Sequence, residues 1–236
     1  MTGALLVAGL VVLVGAVVQG FVGFGLGLFA APLLALLEPS LVPVPLLMIA
    51  SLTSVLSVVR EHRHTDWRGV GWVVIGRVPG TAVGLAAVLL LSARWFGILV
   101  GLSVLACVAL SLVSWRPLPT ARALLVAGAV SGATATSATI GGPPLALVYQ
   151  HSEGPRVRAT LGACFLIGSA MSIAALGTAG RVGVDELRAA VTLVPFLLVG
   201  FALSGPARRR LDLRWLRPGV LGVSALGAVL LIAQAL

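Results

Sequence analysis

The chain is a succession of apolar runs with almost no polar sequence between them. Several runs reach the ~18 residues that a membrane helix needs. Of 236 residues, 59% are hydrophobic and only 10% charged, far too little charge to keep a soluble domain of this length dissolved. No polar block is long enough for a separate soluble domain. The sequence therefore predicts an all-α polytopic membrane protein with one transmembrane domain over 1–236. Met1-Thr2-Gly3-Ala4 lacks the basic start of a secretory signal, so the first run reads as a membrane segment itself.

Six runs read as ordinary spanning helices: 41–59, 69–92, 95–113, 158–177, 188–205 and 217–236. Two others are interrupted. The segment 4–37 is broken by Gly20–Gly27, and 122–150 is broken by Thr134–Pro144. As continuous helices they would run about 50 Å and about 43 Å, against a hydrocarbon core of ~30 Å. Clustered Gly and Pro also break helices. Both segments are thus expected to be pairs of half-helices meeting near the midplane.

The chain also repeats. At an offset of 112, Val18-Gln19-Gly20 lies over Val130-Ser131-Gly132, and Pro32-Leu33 over Pro144-Leu145; at 116, Val78-Pro79 and Gly84 lie over Val194-Pro195 and Gly200. The expected repeats are about 1–115 and 116–236, each a broken segment followed by three helices. Broken segments at matching positions of two halves point to a transporter's binding site.

Arginine placement decides between crossing and turning back. All 16 basic residues are Arg. If both broken segments turn back, the loops near 60–68, 114–122, 151–158 and 206–217 share one side. That side holds Arg60, Arg63, Arg68, Arg116, Arg122, Arg156, Arg158, Arg208, Arg209, Arg210, Arg214 and Arg217. The other keeps Arg94, Arg181 and Arg188, a split of 12 to 3. If both segments crossed, the arginines would lie on both sides, against the positive-inside tendency. The expectation is two inverted repeats, each a re-entrant hairpin followed by three spans, in the cell membrane. The Arg-rich loops face the cytoplasm and both termini face outward. Trp67, Trp72, Trp95, Trp115, Tyr149 and Trp215 fall near the proposed boundaries, as an interfacial belt requires.

Irregular backbone inside a membrane marks a cavity. The second arm of each hairpin aims its N-terminus there, and free N–H groups at a positive dipole end favour an anion. Gly23, Gly25, Gly27, Gly141 and Gly142 permit close approach to the backbone. Thr134, Thr136, Ser137 and Thr139 offer hydroxyls, and Gln19 an amide. Packing through small residues explains the glycines about equally well. Arg77 lies about 12 Å into its helix; it either faces the cavity or snorkels to the headgroups. The basic excess belongs to lipid-facing loops, which sets nucleic acid aside. Glu61-His62-Arg63-His64-Thr65-Asp66 reads as a charged loop rather than a metal site, and Cys107 and Cys164 as core residues. No embedded carboxylate and no nucleophile–base pair suggests catalysis, and no cofactor is implied. The expected partners are a small anion, the bilayer and, as an option, a second copy of the chain. A passive anion channel and a non-transporting assembly subunit remain open alternatives.

Gly15-Ala16-Val17-Val18-Gln19-Gly20-Phe21-Val22-Gly23-Phe24-Gly25 with Pro32-Leu33, and Ser131-Gly132 with Gly141-Gly142-Pro143-Pro144-Leu145, resemble the two repeats of the TauE/SafE sulfite exporters. This is a 4-toluene sulfonate uptake permease type of membrane transporter, and the resemblance spans about 4–235. It implies export of sulfite or another small sulfur-containing or organic anion. It also implies a substrate site around Gly20–Gly27 and Thr134–Pro144. The second repeat departs from a fuller glycine run with Thr136-Ser137-Ala138-Thr139. The topology predicts that Arg209→Cys stays unlabelled when an impermeant thiol reagent is added to intact cells. Rapid labelling from outside would invert the orientation.

Overall fold

The computed structural model describes residues 3–112, 118–210 and 213–236. Trp115 and Arg116 lie outside the described residues, as do the side chains of Arg60, Arg208, Arg209, Arg210, Arg214, Trp215 and Arg217. The described residues form ten α-helices: α1 (Gly3–Val22), α2 (Leu26–Leu37), α3 (Val44–Glu61), α4 (Trp67–Leu90), α5 (Ala93–Leu112), α6 (Ala121–Ala138), α7 (Gly142–Tyr149), α8 (Gly154–Thr178), α9 (Val184–Arg210) and α10 (Leu213–Ala235). Six are long and apolar enough to cross a membrane: α1, α4, α5, α8, α9 and α10.

The two interruptions are real but shorter than expected. The first is confined to 23–25, where Gly23 and Gly25 have φ of 96° and 126°, a region only glycine enters cheaply. The second is confined to 139–141, with Thr139 at φ 62°. Both first arms are therefore longer than half-helices. The 20 residues of α1 and 18 of α6 run about 30 Å and about 27 Å. Gly20, Thr134, Thr136 and Ser137 stay helical because their backbone hydrogen bonds have nowhere better to go in an apolar setting. Only the second arms are short, at 12 and 8 residues.

Both breaks fold the chain back. Leu26 packs against Gly15 of α1, and its N–H reaches the Gln19 Oε1 at 3.1 Å. Likewise the carbonyls of Ile140 and Gly141 return to the Thr134 and Ser131 hydroxyls of α6.

Glycine contacts set the helix directions. Gly76, Gly80 and Gly84 of α4 face Leu125, Ala129 and Ala133 of α6 in turn, so these helices run parallel. Gly9 meets Phe196, and Gly20 meets Ser204, so α1 and α9 also run parallel. Gly97 lies by Ala235 and Gly101 by Ala228, so α5 and α10 are antiparallel. The Arg94 Nη2 donates to the Leu236 carbonyl at 3.1 Å. The near end of the bundle gathers the start of α3, the end of α4 and the end of α8, joined through Val44, Leu47, Leu85, Val88 and Leu176. The far end gathers the start of α4, the end of α7 and the start of α8 around Asp66. The α1–α2 pair thus dips in from the near end, and the α6–α7 pair from the far end. Helix contacts recur between the halves: α4 with α6 is matched by α9 with α1, and α4 with α8 by α9 with α3.

The aromatics near the expected boundaries differ in exposure. Trp67 and Trp95 are exposed at the starts of α4 and α5. Tyr149 is only 1% exposed, and its hydroxyl donates to the partly exposed Asp66 carboxylate. Cys107 and Cys164 are free and buried, as core residues should be.

A Cβ on Gly80 would stand 2.0 Å from the Ala129 carbonyl oxygen, and backbone cannot step aside. Gly80→Val should therefore cost at least the ~1–3 kcal/mol of an overpacked core. Its melting temperature in detergent should drop sharply. Gly71→Val, with nothing within 4 Å, should melt like the parent.

Candidate functional site

Between the two hairpins lies a cavity at which seven helices converge. About 40 Å³ of it is open to the centre of a water molecule, room for a few waters or one small oxyanion. Hairpin residues form one wall: Gln19, Phe24, Gly25, Gly27 and Leu28 from the first, Ala135, Thr139, Ile140, Gly141, Gly142 and Pro143 from the second. Leu47, Ala50 and Ser54 of α3, Arg77 of α4, and Phe165 and Ser169 of α8 complete it.

Arg77 supplies the charge. Its side chain is 1% exposed, so it does not snorkel. The Nη1 donates to the Ser131 Oγ at 3.1 Å, and that hydroxyl donates to the Gly141 carbonyl at 2.8 Å. The Nε finds no partner among the described residues, and neither does the Thr81 Oγ1 one turn on. No described carboxylate pairs with the guanidinium. Gly168 makes room for it, since a Cβ there would stand 2.1 Å from the guanidinium carbon. A buried cation with an open hydrogen-bonding position needs a counter-charge, and the adjoining cavity can hold one.

Gln19 is a brace. Its Oε1 takes the Leu26 N–H and its Nε2 donates to the Thr53 Oγ1 at 2.5 Å, tying α1, α2 and α3 together. Ser131, its counterpart at the repeat offset, ties α6 to the start of α7. The two tips also touch. A Cβ on Gly27 would collide with the Thr139 carbonyl, and one on Gly142 with Phe24.

The expected anion donors are unevenly available. In α2 the Leu26 N–H is taken by Gln19, while those of Gly27 and Leu28 have no intrahelical partner. In α7 the second and third residues are Pro143 and Pro144, which have no N–H to give. The second arm of hairpin two therefore offers fewer donors than its helix end suggests.

Of the sequence-predicted residues, Gln19, Gly25, Gly27, Arg77, Thr139, Gly141 and Gly142 line the cavity. Gly20 packs on Ser204 of α9, and Gly23 on Arg158. The Thr134 hydroxyl lies on the Val130 and Ile140 carbonyls, Ser137 donates to the Ala133 carbonyl, and Thr136 shares a 2.7 Å hydrogen bond with Ser172. Because they remain helical, their hydroxyls close on their own neighbourhood. Sequence reading missed Ser131, Phe165 and Ser169 as site residues. Ser131 was visible only as the repeat partner of Gln19 and as part of the second family motif, and Phe24 only within the implied Gly20–Gly27 stretch.

A model of the sulfite exporter TauE/SafE family matches residues 7–231. The chain belongs to the TauE/SafE sulfite exporter family. No curated protein and no solved structure gives a match. The family implies a membrane transporter of sulfur-containing anions rather than an enzyme, and its model covers both hairpins and Arg77.

At the far end a clasp fixes the α6–α7 pair of this TauE/SafE protein. Asp66 caps α4 through the Gly69 N–H at 3.0 Å, accepts from the Tyr149 hydroxyl at 3.2 Å and pairs with Arg156 at 3.3 Å. Burial opposes its charge, yet these three partners hold its carboxyl below the usual 3.8. A depressed carboxyl stabilises fully above about pH 4 and ceases to do so as pH falls through the folded value. The melting temperature should fall between pH 5 and pH 3, as an order-of-magnitude window. Asp66→Asn should flatten that part of the profile, and an unchanged profile would remove Asp66 as its source.

Proposed function

We propose that the chain is a secondary transporter that exports a small sulfur anion, sulfite or an organosulfonate, across the cell membrane. Two inverted repeats alternate access to a central site between the hairpins. The observation that carries this reading is Arg77, buried beside the cavity with its Nε unpartnered and no described carboxylate in reach. An oxyanion would complete both the charge and the hydrogen bonding. The Gly27 and Leu28 N–H groups stand around the same space. The membrane potential supports export: an anion leaving an inside-negative cell gains about 2.3 kcal/mol per charge per 100 mV. In this reading the arginine-rich far end faces the cytoplasm and the near end faces outward. Tip-to-tip contact at Gly27–Thr139 and Gly142–Phe24 favours a carrier over an open channel.

The test is a melting-temperature screen of purified protein against sulfite, sulfate, thiosulfate, sulfoacetate and simple carboxylates. A true substrate at a hundred times its Kd should stabilise by about 2.7 kcal/mol. Arg77→Gln should abolish that shift. Without anion the variant should melt at or above the parent, because an uncompensated buried cation is gone. An anion shift that survives in Arg77→Gln would sink the role of Arg77. No shift with any anion would favour an assembly subunit.

A further inference from the structure

A second hollow opens at the near end, about 320 Å³ on the same measure, with Pro43 and Val44 in its floor and Arg181 on its rim. Arg181 is exposed there, and Glu186 lines the same hollow with its Oε2 accepting from the Gly183 N–H at 2.9 Å. The central cavity begins directly beneath. Leu47, in its wall, lies one turn below Val44 on α3, about 4.5 Å along the axis. What separates the two spaces is one contact and a thin apolar collar. The Thr139 Oγ1 donates to the Pro43 carbonyl at 3.3 Å. Around it, Val44, Leu47 and Leu176 are all buried. Thr139 is the tip of the second hairpin, reaching from the far end to seal against the near-end loop. It is also the one non-glycine residue with positive φ among those described, at 62°. A β-branched residue in that region is strained and persists only where contacts over-determine it.

We propose that the near-end hollow is the outer vestibule of the anion path, and that the Thr139–Pro43 contact is the gate dividing it from the central site. The gate rests on the transporter reading above and adds its moving part. Opening needs the Thr139 tip to withdraw by about one helical turn, which releases a strained residue rather than a relaxed one. An anion leaving Arg77 then passes the collar toward Arg181.

The test uses Ser54→Cys, below the gate, in a Cys107→Ala, Cys164→Ala background reconstituted in vesicles. A membrane-impermeant thiosulfonate reagent is added from the near-end side, without sulfite. Ala93→Cys, in the vestibule wall, serves as the accessible control. Ser54→Cys should label slowly and Ala93→Cys fast. Adding Thr139→Val, which removes the hydroxyl and keeps the strained β-branched residue, should speed Ser54→Cys labelling at least tenfold; Thr139→Ser, which keeps the hydroxyl, should not. The gate is wrong if Thr139→Val leaves the rate unchanged, or if Ser54→Cys alone labels as fast as the control. A sulfite melting shift measured on the same variants separates the two ideas. Faster labelling without any anion shift supports the gate and sinks the cargo. A shift without faster labelling sinks the gate and spares the cargo.

Discussion

A guanidinium 1% exposed inside an apolar bundle is stable only if its surroundings replace the water it has lost. For Arg77 that replacement is partial. Ser131 satisfies one nitrogen and relays the bond to the Gly141 carbonyl at the second tip. The Nε is left over. The rest of the site is arranged around this deficit. Gly132 and Gly168 lack side chains where the arginine must pass, and the cavity opens beside its head. The deficit is local to one half of the chain. At the repeat offset of 116, the position matching Arg77 holds Leu193, which is buried in the apolar core.

How much of this was legible depended on which force dominated each position. The broken segments were legible because Gly and Pro clusters are expensive in a helix and the runs exceed the bilayer. Their breaks were not legible to the residue. Gly20 is kept in α1 by close packing on Ser204, which no local pattern announces. Thr134, Thr136 and Ser137 looked like free donors, but the first and last fall back on the carbonyl four residues earlier and Thr136 pairs with Ser172 of α8. Tyr149 looked like an interfacial aromatic by its position near a boundary. Asp66, distant by 83 residues, drew its hydroxyl inward. The Asp66 cap itself was readable, an acidic residue just before the first helical turn at Trp67.

The two hairpins are equivalent in plan and different in chemistry. The first keeps donors at the start of α2 and relies on two glycines to turn. The second spends its helix start on prolines and turns through a threonine. One tip thus keeps backbone N–H groups free of intrahelical partners. The other is a strained turn whose hydroxyl donates to the Pro43 carbonyl.

The glycine seam between α4 and α6 has a mechanical consequence. Side chains can change rotamer to let helices slide, but carbonyls lying where a Cβ would go give no such slack. Whatever displacement α4 undergoes, α6 undergoes with it, and the same holds for α1 and α9 where Gly200 meets the Leu13 carbonyl. Each of these rods joins one half of the chain to the other half. The units stitched in this way are therefore not the first and second halves of the sequence. They are two stitched composites, each carrying the long arm of one hairpin and a spanning helix of the opposite repeat.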